Sequence, residues 1–300
     1  MTNKQAASAC NAAYNTNTER ILPMIQDIAP SILNNSYRIC QPDDKSRYFI
    51  FDGDMLLADT SLECGDIVFP GNKDISISRN AVYLFSVDDT SYFLLTDQKY
   101  SETGQFRYIH FKELRSLGLT RNNGLFAAFT AYHLWCWYRS SRFCGKCGHS
   151  TVHSSRERAM VCPECGSTIY PRINPAVIIG VLNGDKILIT RYRTGFAHNA
   201  LVAGFTEIGE TLEETVAREV MEEAGLSVKN IRYYKSQPWG SVSDLLIGFF
   251  CEVDGSCKIH MDKSELKYAE WLGRDEIVLQ PQDISLTNEM MKVFKAGKEL

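Results

Sequence analysis

No stretch of this 300-residue chain is apolar for long enough to cross a bilayer, and no lipid-anchor signature is present. The opening residues Met1-Thr2-Asn3-Lys4-Gln5 lack the basic and apolar segments of a secretory leader. Positive charge is short as well. Thirty-two Lys and Arg against 36 Asp and Glu give a net charge of −4, which argues against tight non-specific nucleic-acid binding, because that depends on many cationic contacts to phosphates. A nucleotide or an RNA end stays compatible with such a charge. Repeats and low-complexity tracts are missing from roughly the first 140 residues too. These absences predict a soluble cytoplasmic protein with no membrane partner. What is present fits that picture: 44% hydrophobic residues support well-packed cores, and the length predicts two or three domains.

The chain has ten cysteines, and four of them are ordered. Cys144 and Cys147 form one CxxC pair, and fourteen residues later Cys162 and Cys165 form a second. Two such pairs suit a tetrahedral Zn²⁺ site, because each short loop presents two thiolates to one ion. Gly145, Gly148 and Gly166 permit the tight turns this needs. The competing readings are a redox pair, which would stand alone at the start of a helix, or two disulfides. His149 and His153 lie between the pairs, where four thiolates already close the site, so both are expected at the surface. The other six cysteines are scattered and read as reduced thiols.

The most informative stretch runs from Gly204 to Leu226. It reads Gly204, Glu210, then Arg218-Glu219-Val220-Met221-Glu222-Glu223-Ala224-Gly225-Leu226. Thr211 with Glu214 makes a capping box and Gly225 a C-terminal stop, so one helix is predicted between them. At about 3.6 residues per turn, Glu219, Glu222 and Glu223 share an arc of roughly 100°. Three carboxylates so close repel one another and call for a counter-charge. Mg²⁺ is the obvious one, since it takes oxygen ligands and is shared between protein carboxylates and substrate phosphates. Val216, Val220 and Ala224 face elsewhere and can be buried, and Arg218 and Glu222, four apart, can pair. The bland alternative is a solvated acidic helix.

Strand and helix signals frame these motifs. Arg47 to Phe51, Val82 to Val87 and Ser91 to Leu95 read as strands, the last two joined through Asp88-Asp89. Phe111 to Leu117 reads as a short helix ended by Gly118, and Leu125 to Tyr138 as a longer one in which His133 is packed. Ala176 to Leu182 and Lys186 to Arg191 flank Asn183-Gly184, a strong hairpin signal in which both positions are expected to take positive φ. Ile231 to Tyr234 and Leu245 to Phe250 read as further strands, and Asn288 to Lys298 as a terminal helix. The expected domains are an α+β unit of open role over 1–141, a zinc ribbon over 142–173 and a catalytic domain over 174–300.

The spaced glutamates, with the loop Ala203-Gly204-Phe205-Thr206-Glu207-Ile208-Gly209-Glu210-Thr211 before them, are identified as a Nudix box. The resemblance implies an α+β fold: a Nudix α/β/α sandwich preceded by the ribbon and a mainly β amino-terminal domain. It also implies that Glu219, Glu222 and Glu223 hold Mg²⁺ or Mn²⁺ for pyrophosphate hydrolysis, with Glu210 and Arg218 in support. The ribbon, Tyr170-Pro171-Arg172, and Ser236-Gln237-Pro238-Trp239 resemble the NADH pyrophosphatase branch of that family. The branch implies hydrolysis of NAD(H), and of the same linkage in NAD-capped RNA, to give AMP and nicotinamide mononucleotide from the free dinucleotide. It further implies a homodimer. Phe205 would stack on nicotinamide, and Tyr170, Gln237, Trp239 and Ala203 would complete the pocket, partly across the dimer. Glu265 matches a further metal carboxylate, while Tyr268 replaces a second glutamate. Where the branch continues Pro-Phe-Pro after the tryptophan, this chain has Gly240-Ser241-Val242, expected to be a more flexible and less apolar loop. An ADP-ribose or broader dinucleoside pyrophosphatase is the alternative enzyme. A zinc-ribbon nucleic-acid-binding regulator without catalysis is the alternative from another class.

Overall fold

Strand β10 (Asn174–Asn183) shows how alternation builds the carboxy-terminal half. Successive side chains of a strand point to opposite faces. Val177, Ile179 and Val181 pack in one apolar cluster with Val216, Val220 and Ala224, whereas Ile178 and Leu182 pack in another with Met290 and Phe294. The first cluster lies under helix α2 (Leu212–Ala224) and the second under α3 (Leu286–Lys295). A mixed sheet is thus covered on both faces, which is the expected α/β/α sandwich. The protein is seen here as a computed structural model that describes residues 24–299, apart from 62–64, 76–79, 97–99, 118, 120–121, 196–197 and 283. The amino-terminal pentapeptide and the helix stop expected at Gly118 lie outside the described residues.

The amino-terminal part is a six-stranded sheet in the order β1-β4-β5-β2-β3-β6. Its strands are β1 (Leu33–Asn34), β2 (Arg47–Asp52), β3 (Met55–Ala58), β4 (Ala81–Val87), β5 (Thr90–Leu95) and β6 (Arg107–His110). The expected hairpin between β4 and β5 turns at Asp88, whose φ is 50°. Phe111–Ser116 is a 3₁₀ turn, and α1 (Asn123–Ser140) is longer than its apolar pattern suggested. Phe126, Phe129 and Trp137 of α1 share one core with Phe49, Phe85 and Leu94 of the sheet.

A small sheet of β7 (Val152–His153), β8 (Met160–Val161) and β9 (Thr168–Ile169) follows. The third sheet has the order β13-β14-β10-β11-β15, with β12 (Val202–Phe205) paired to β10. Its other members are β11 (Lys186–Tyr192), β13 (Ser227–Trp239), β14 (Asp244–Asp254) and β15 (Leu266–Gly273). The β10–β11 hairpin pairs Asn183 with Lys186, so the turn residues are Gly184 and Asp185. Only Gly184 there has positive φ, which corrects the expected Asn-Gly turn by one residue. The strand expected at 231–234 is longer at both ends because register shifts at 229/232 and 233/236 keep β13 paired with β14.

The expected flexibility of Gly240-Ser241-Val242 is not what the packing shows at its first residue. A Cβ on Gly240 would lie 2.0 Å from the Phe129 carbonyl oxygen of α1, so this glycine is the point where α1 seats on the loop. His133, one turn further along α1, donates Nε2–H to the Arg172 carbonyl at 2.7 Å and ties the helix to the entry of β10. It is therefore bonded as well as packed.

Candidate functional site

Two equivalent turns form the cysteine site. The Gly148 N–H donates to the Cys144 carbonyl and the Cys144 N–H to His149 O, both at 2.8 Å. In the second turn Gly166 donates to Cys162 O at 3.0 Å and Cys162 to Ser167 O at 2.8 Å. Gly148 and Gly166 reach φ of 78° and 69°, which only glycine adopts without strain. The turns bring Cys144 Sγ to 3.6 Å from Cys165, and Cys147 Sγ to 3.4 Å from Cys162 and 3.5 Å from Cys165. A disulfide would need about 2.0 Å. A tetrahedral zinc with Zn–S near 2.3 Å places its sulfurs about 3.8 Å apart, so this donor set fits zinc. The Lys146 N–H donates to Cys144 Sγ at 3.4 Å, and backbone donors of this kind hold the Cys144 and Cys162 thiols below their ordinary range. That favours the thiolate a metal needs at these two positions, whereas sharing a hydrogen bond with Cys162 pushes Cys147 up.

The box helix follows its predicted ends. Thr211 caps it with both halves of the capping box, and Gly225 closes it in the left-handed conformation with φ 66°. Val216, Val220 and Ala224 are fully buried. The adjoining face carries the glutamates, in graded exposure: the Glu223 residue, next to the buried stripe, is only 2% exposed, while the side chains of Glu219 and Glu222 are 12% and 59% exposed.

Arg218 binds this group together. Its Nε and Nη2 donate to the two oxygens of Glu210 at 2.5 and 2.9 Å. Its Nη1 donates to Glu219 at 2.8 Å and to Glu222 at 2.9 Å, and Nη2 also reaches the Phe205 carbonyl at 2.9 Å. The Arg218 guanidinium, with the Glu207 N–H, holds the Glu210 carboxyl down to about 2. Burial instead pushes Glu223 up to about 8, with the charges of Glu219 and Glu265 adding to it. Burial raises Glu219 as well. Glu265, exposed on the segment before β15, thus faces the same group electrostatically.

Gly204 explains how Glu219 fits. A Cβ at that position would lie 1.9 to 2.2 Å from the Glu219 carboxylate, so a larger residue would displace that carboxylate from where Arg218 holds it. A residue that the sequence reading missed is Tyr192. Its hydroxyl lies 3.2 and 3.4 Å from the Glu223 oxygens and accepts the Ala203 N–H at 3.1 Å. Alternation along β11 offered the signal: Leu188 packs under α2, and Tyr192 falls on the same strand parity.

The aromatic positions divide. The Phe205 residue is 54% exposed next to Gly204, and its backbone carbonyl accepts from Arg218. Ala203 contributes its backbone to the Tyr192 bond. Tyr170 is 56% exposed at the end of the ribbon and donates to Glu157 at 3.0 Å. Gln237 and Trp239 are buried at the junction with the amino-terminal part. Gln237 donates to the Ile284 carbonyl at 2.8 Å and accepts from the Leu286 N–H at 2.7 Å. The Trp239 ring centroid lies 5.4 Å from that of Phe129, and the Arg115 guanidinium sits 4.9 Å from its centre. These contacts hold both side chains in place beside the Gly240-Ser241-Val242 loop.

This architecture is a Nudix domain behind a four-cysteine ribbon. Residues 172–294 match the family model described as NUDIX domain, and residues 139–170 match the NADH pyrophosphatase zinc ribbon domain. A relative from Klebsiella pneumoniae, named NAD-capped RNA hydrolase NudC, is 37% identical over 210 residues, covering 68% of this chain and 77% of its own length. Proteins of the same name from Citrobacter koseri and Escherichia coli are each 46% identical over 147 residues. There the match takes 48% of this chain and 56% of theirs, so the chain spans about half the length of these curated relatives. The chain belongs to the Nudix family, in the branch that carries the NADH pyrophosphatase zinc ribbon.

Proposed function

We propose that the protein is a divalent-cation-dependent NAD(H) diphosphatase that also removes the NAD cap from RNA. The observation that carries this reading is the convergence of Glu219, Glu222 and Glu223 on one helix face, bound together by Arg218 and seated against Gly204. The names of the relatives support the substrate class. The proposed cation, Mg²⁺ or Mn²⁺, would be held by Glu219, Glu222, Glu223 and Glu265. When bound, it polarises phosphoryl oxygens and lowers the pKa of a water.

The chain's own part follows from the geometry. Water attacks one phosphorus of the pyrophosphate, the bond from that phosphorus to the bridging oxygen breaks, and the bridging oxygen leaves on the other phosphate. NAD(H) then yields AMP and the nicotinamide mononucleotide. Arg218 offsets the mutual repulsion of the carboxylates, and its fork on Glu210 fixes the loop to the helix. Phe205 offers the nicotinamide ring a flat apolar partner. Cys144, Cys147, Cys162 and Cys165 hold one structural zinc, a closed site without a position for a reacting water.

The protein is proposed to act as a homodimer in the cytoplasm. Exposed Tyr170, Ile173, Phe205 and Val242 supply apolar surface for a second copy. Cys40, Cys136, Cys251 and Cys257, outside the ribbon, are free thiols, which suits a reducing compartment. A screen of NADH, NAD⁺, ADP-ribose, diadenosine polyphosphates and NAD-capped RNA with Mg²⁺ or Mn²⁺, with products identified, tests the reading. Release of AMP and nicotinamide mononucleotide from NADH supports it. Turnover confined to ADP-ribose or diadenosine polyphosphates would replace it by the broader pyrophosphatase, and no metal-dependent turnover at all by a non-catalytic regulator.

A further inference from the structure

We propose that Tyr192 is a positioning residue that fixes the Glu223 carboxylate for divalent-cation binding. The inference rests on the assignment of Glu223 to that cation. Tyr192 ends β11, is half-buried, and has its hydroxyl beside the carboxylate group. The Ala203 N–H donates to the phenol oxygen at 3.1 Å. With that lone pair engaged, the phenol hydrogen has two acceptors within reach: the Glu223 oxygens at 3.2 and 3.4 Å, and the Ala203 carbonyl at 3.4 Å. A cation on Glu223 would keep its carboxylate ionised and so the stronger acceptor, and the phenol hydrogen then turns to Glu223.

Three consequences follow from this placement. Glu223 sits almost entirely out of solvent, so water offers it little alternative hydrogen bonding. The phenol straddles both carboxylate oxygens and therefore sets the direction of the fork. Through Ala203 it also ties Glu223 to β12, the strand that carries Gly204 and so the seat of Glu219. The hydroxyl thus orients Glu223 by a direct bond, and both groups meet the Ala203 backbone of the strand against which Glu219 is seated. Partners of this kind, one bond removed from a metal, set ligand orientation, and losing one typically weakens metal affinity or activity about 10–100-fold.

The test uses the full-length zinc-loaded protein. Mn²⁺ binding without substrate is followed by the electron paramagnetic resonance signal of free Mn²⁺, and turnover is measured with NADH. Tyr192→Phe keeps the ring and removes the hydroxyl. It should weaken Mn²⁺ binding and lower kcat, each by about tenfold or more, with KM for NADH unchanged within about twofold because no substrate contact is removed. p-Aminophenylalanine at position 192 restores an N–H donor on the same ring and should recover most of the Mn²⁺ affinity, which a purely structural role would not predict. This second variant also keeps the test decisive if Tyr192→Phe folds poorly.

In the Glu223→Gln background, Tyr192→Phe should cost little more, since the two act as one unit. Mn²⁺ affinity and kcat within twofold of wild type for Tyr192→Phe would overturn the inference, as would full additivity with Glu223→Gln. If Glu223→Gln itself left Mn²⁺ binding intact, the assignment of Glu223 would fail instead. The two failures are therefore distinguishable.

Discussion

Arg218 and Glu210 form a two-pronged pair, Nε to Oε1 at 2.5 Å and Nη2 to Oε2 at 2.9 Å, that joins the box loop to its helix. The same guanidinium reaches Glu219 and Glu222. Lysine can carry the charge but not this fork. Arg218→Lys should therefore lower kcat for NADH by about 10–100-fold, as expected when a group that orients a metal site is lost. KM should move little. Steady-state kinetics at saturating Mn²⁺ checks this, and a change confined to KM would contradict it.

At Gly240 the loop after β13 packs directly on the backbone of α1. Gly240→Ala puts a methyl group 2.0 Å from the Phe129 carbonyl oxygen, where neither backbone yields without repacking. Overpacking of this kind costs about 1–3 kcal/mol. Denaturant unfolding should show that loss. An unchanged midpoint would mean that the loop is as pliable as its composition suggested.

Much of this was legible beforehand because local chemistry decided it. The cap at Thr211, the stop at Gly225, the buried stripe of Val216, Val220 and Ala224 and the cysteine turns all depend on residues a few positions apart. What was missed depends on distant partners. Tyr192 meets Glu223 across 31 positions, and Arg218 takes the Phe205 carbonyl as well as the pair expected four residues away. The resemblance offered Trp239 and Gln237 as pocket residues and said nothing of what packs on them. Their burial against Phe129 and beside the start of α3 arises from packing between domains, which no spacing within the motif reports. The glycine in place of proline at 240 suggested flexibility because α1 was not yet beside it.

Removing a ribbon ligand should separate stability from chemistry. Cys162 is buried and lies 3.4 Å from Cys147. Cys162→Ser should release zinc and lower the thermal midpoint, because binding free energy of a structural metal is folding free energy. Metal analysis of protein purified without chelator should find one zinc per wild-type chain. Its absence, with the four thiols titrating as oxidised, would contradict the ribbon account.

Phe205 tests specificity. If its exposed ring stacks on nicotinamide, Phe205→Ala should impair NADH more than ADP-ribose, which shares the pyrophosphate but has no such ring. Aromatic stacking is worth about 0.5–1.5 kcal/mol beyond burial, or a several-fold to roughly tenfold difference in kcat/KM. Equal losses on both substrates would assign Phe205 to support of the loop, and favour the broader pyrophosphatase.

The central claim is that the buried box carboxylate serves a metal-dependent reaction at the expense of the metal-free fold. Burial raises Glu223 to about 8 from its ordinary 4.5. A carboxyl raised on folding contributes stability that is present below about 4.5 and lost as pH rises through about 8. Glu223→Gln keeps the size and mimics the protonated form. Without divalent cation it should therefore melt higher than wild type at pH 8 to 9, the difference shrinking toward pH 4.5. The most direct measurement pairs that melting curve with NADH turnover at saturating Mg²⁺ or Mn²⁺ and product identification. The account predicts an intact, at least equally stable Glu223→Gln fold with turnover reduced by about 10²-fold or more, on the scale of losing one electrostatic stabiliser of the reacting group. Near-normal release of AMP and nicotinamide mononucleotide by that variant would contradict it.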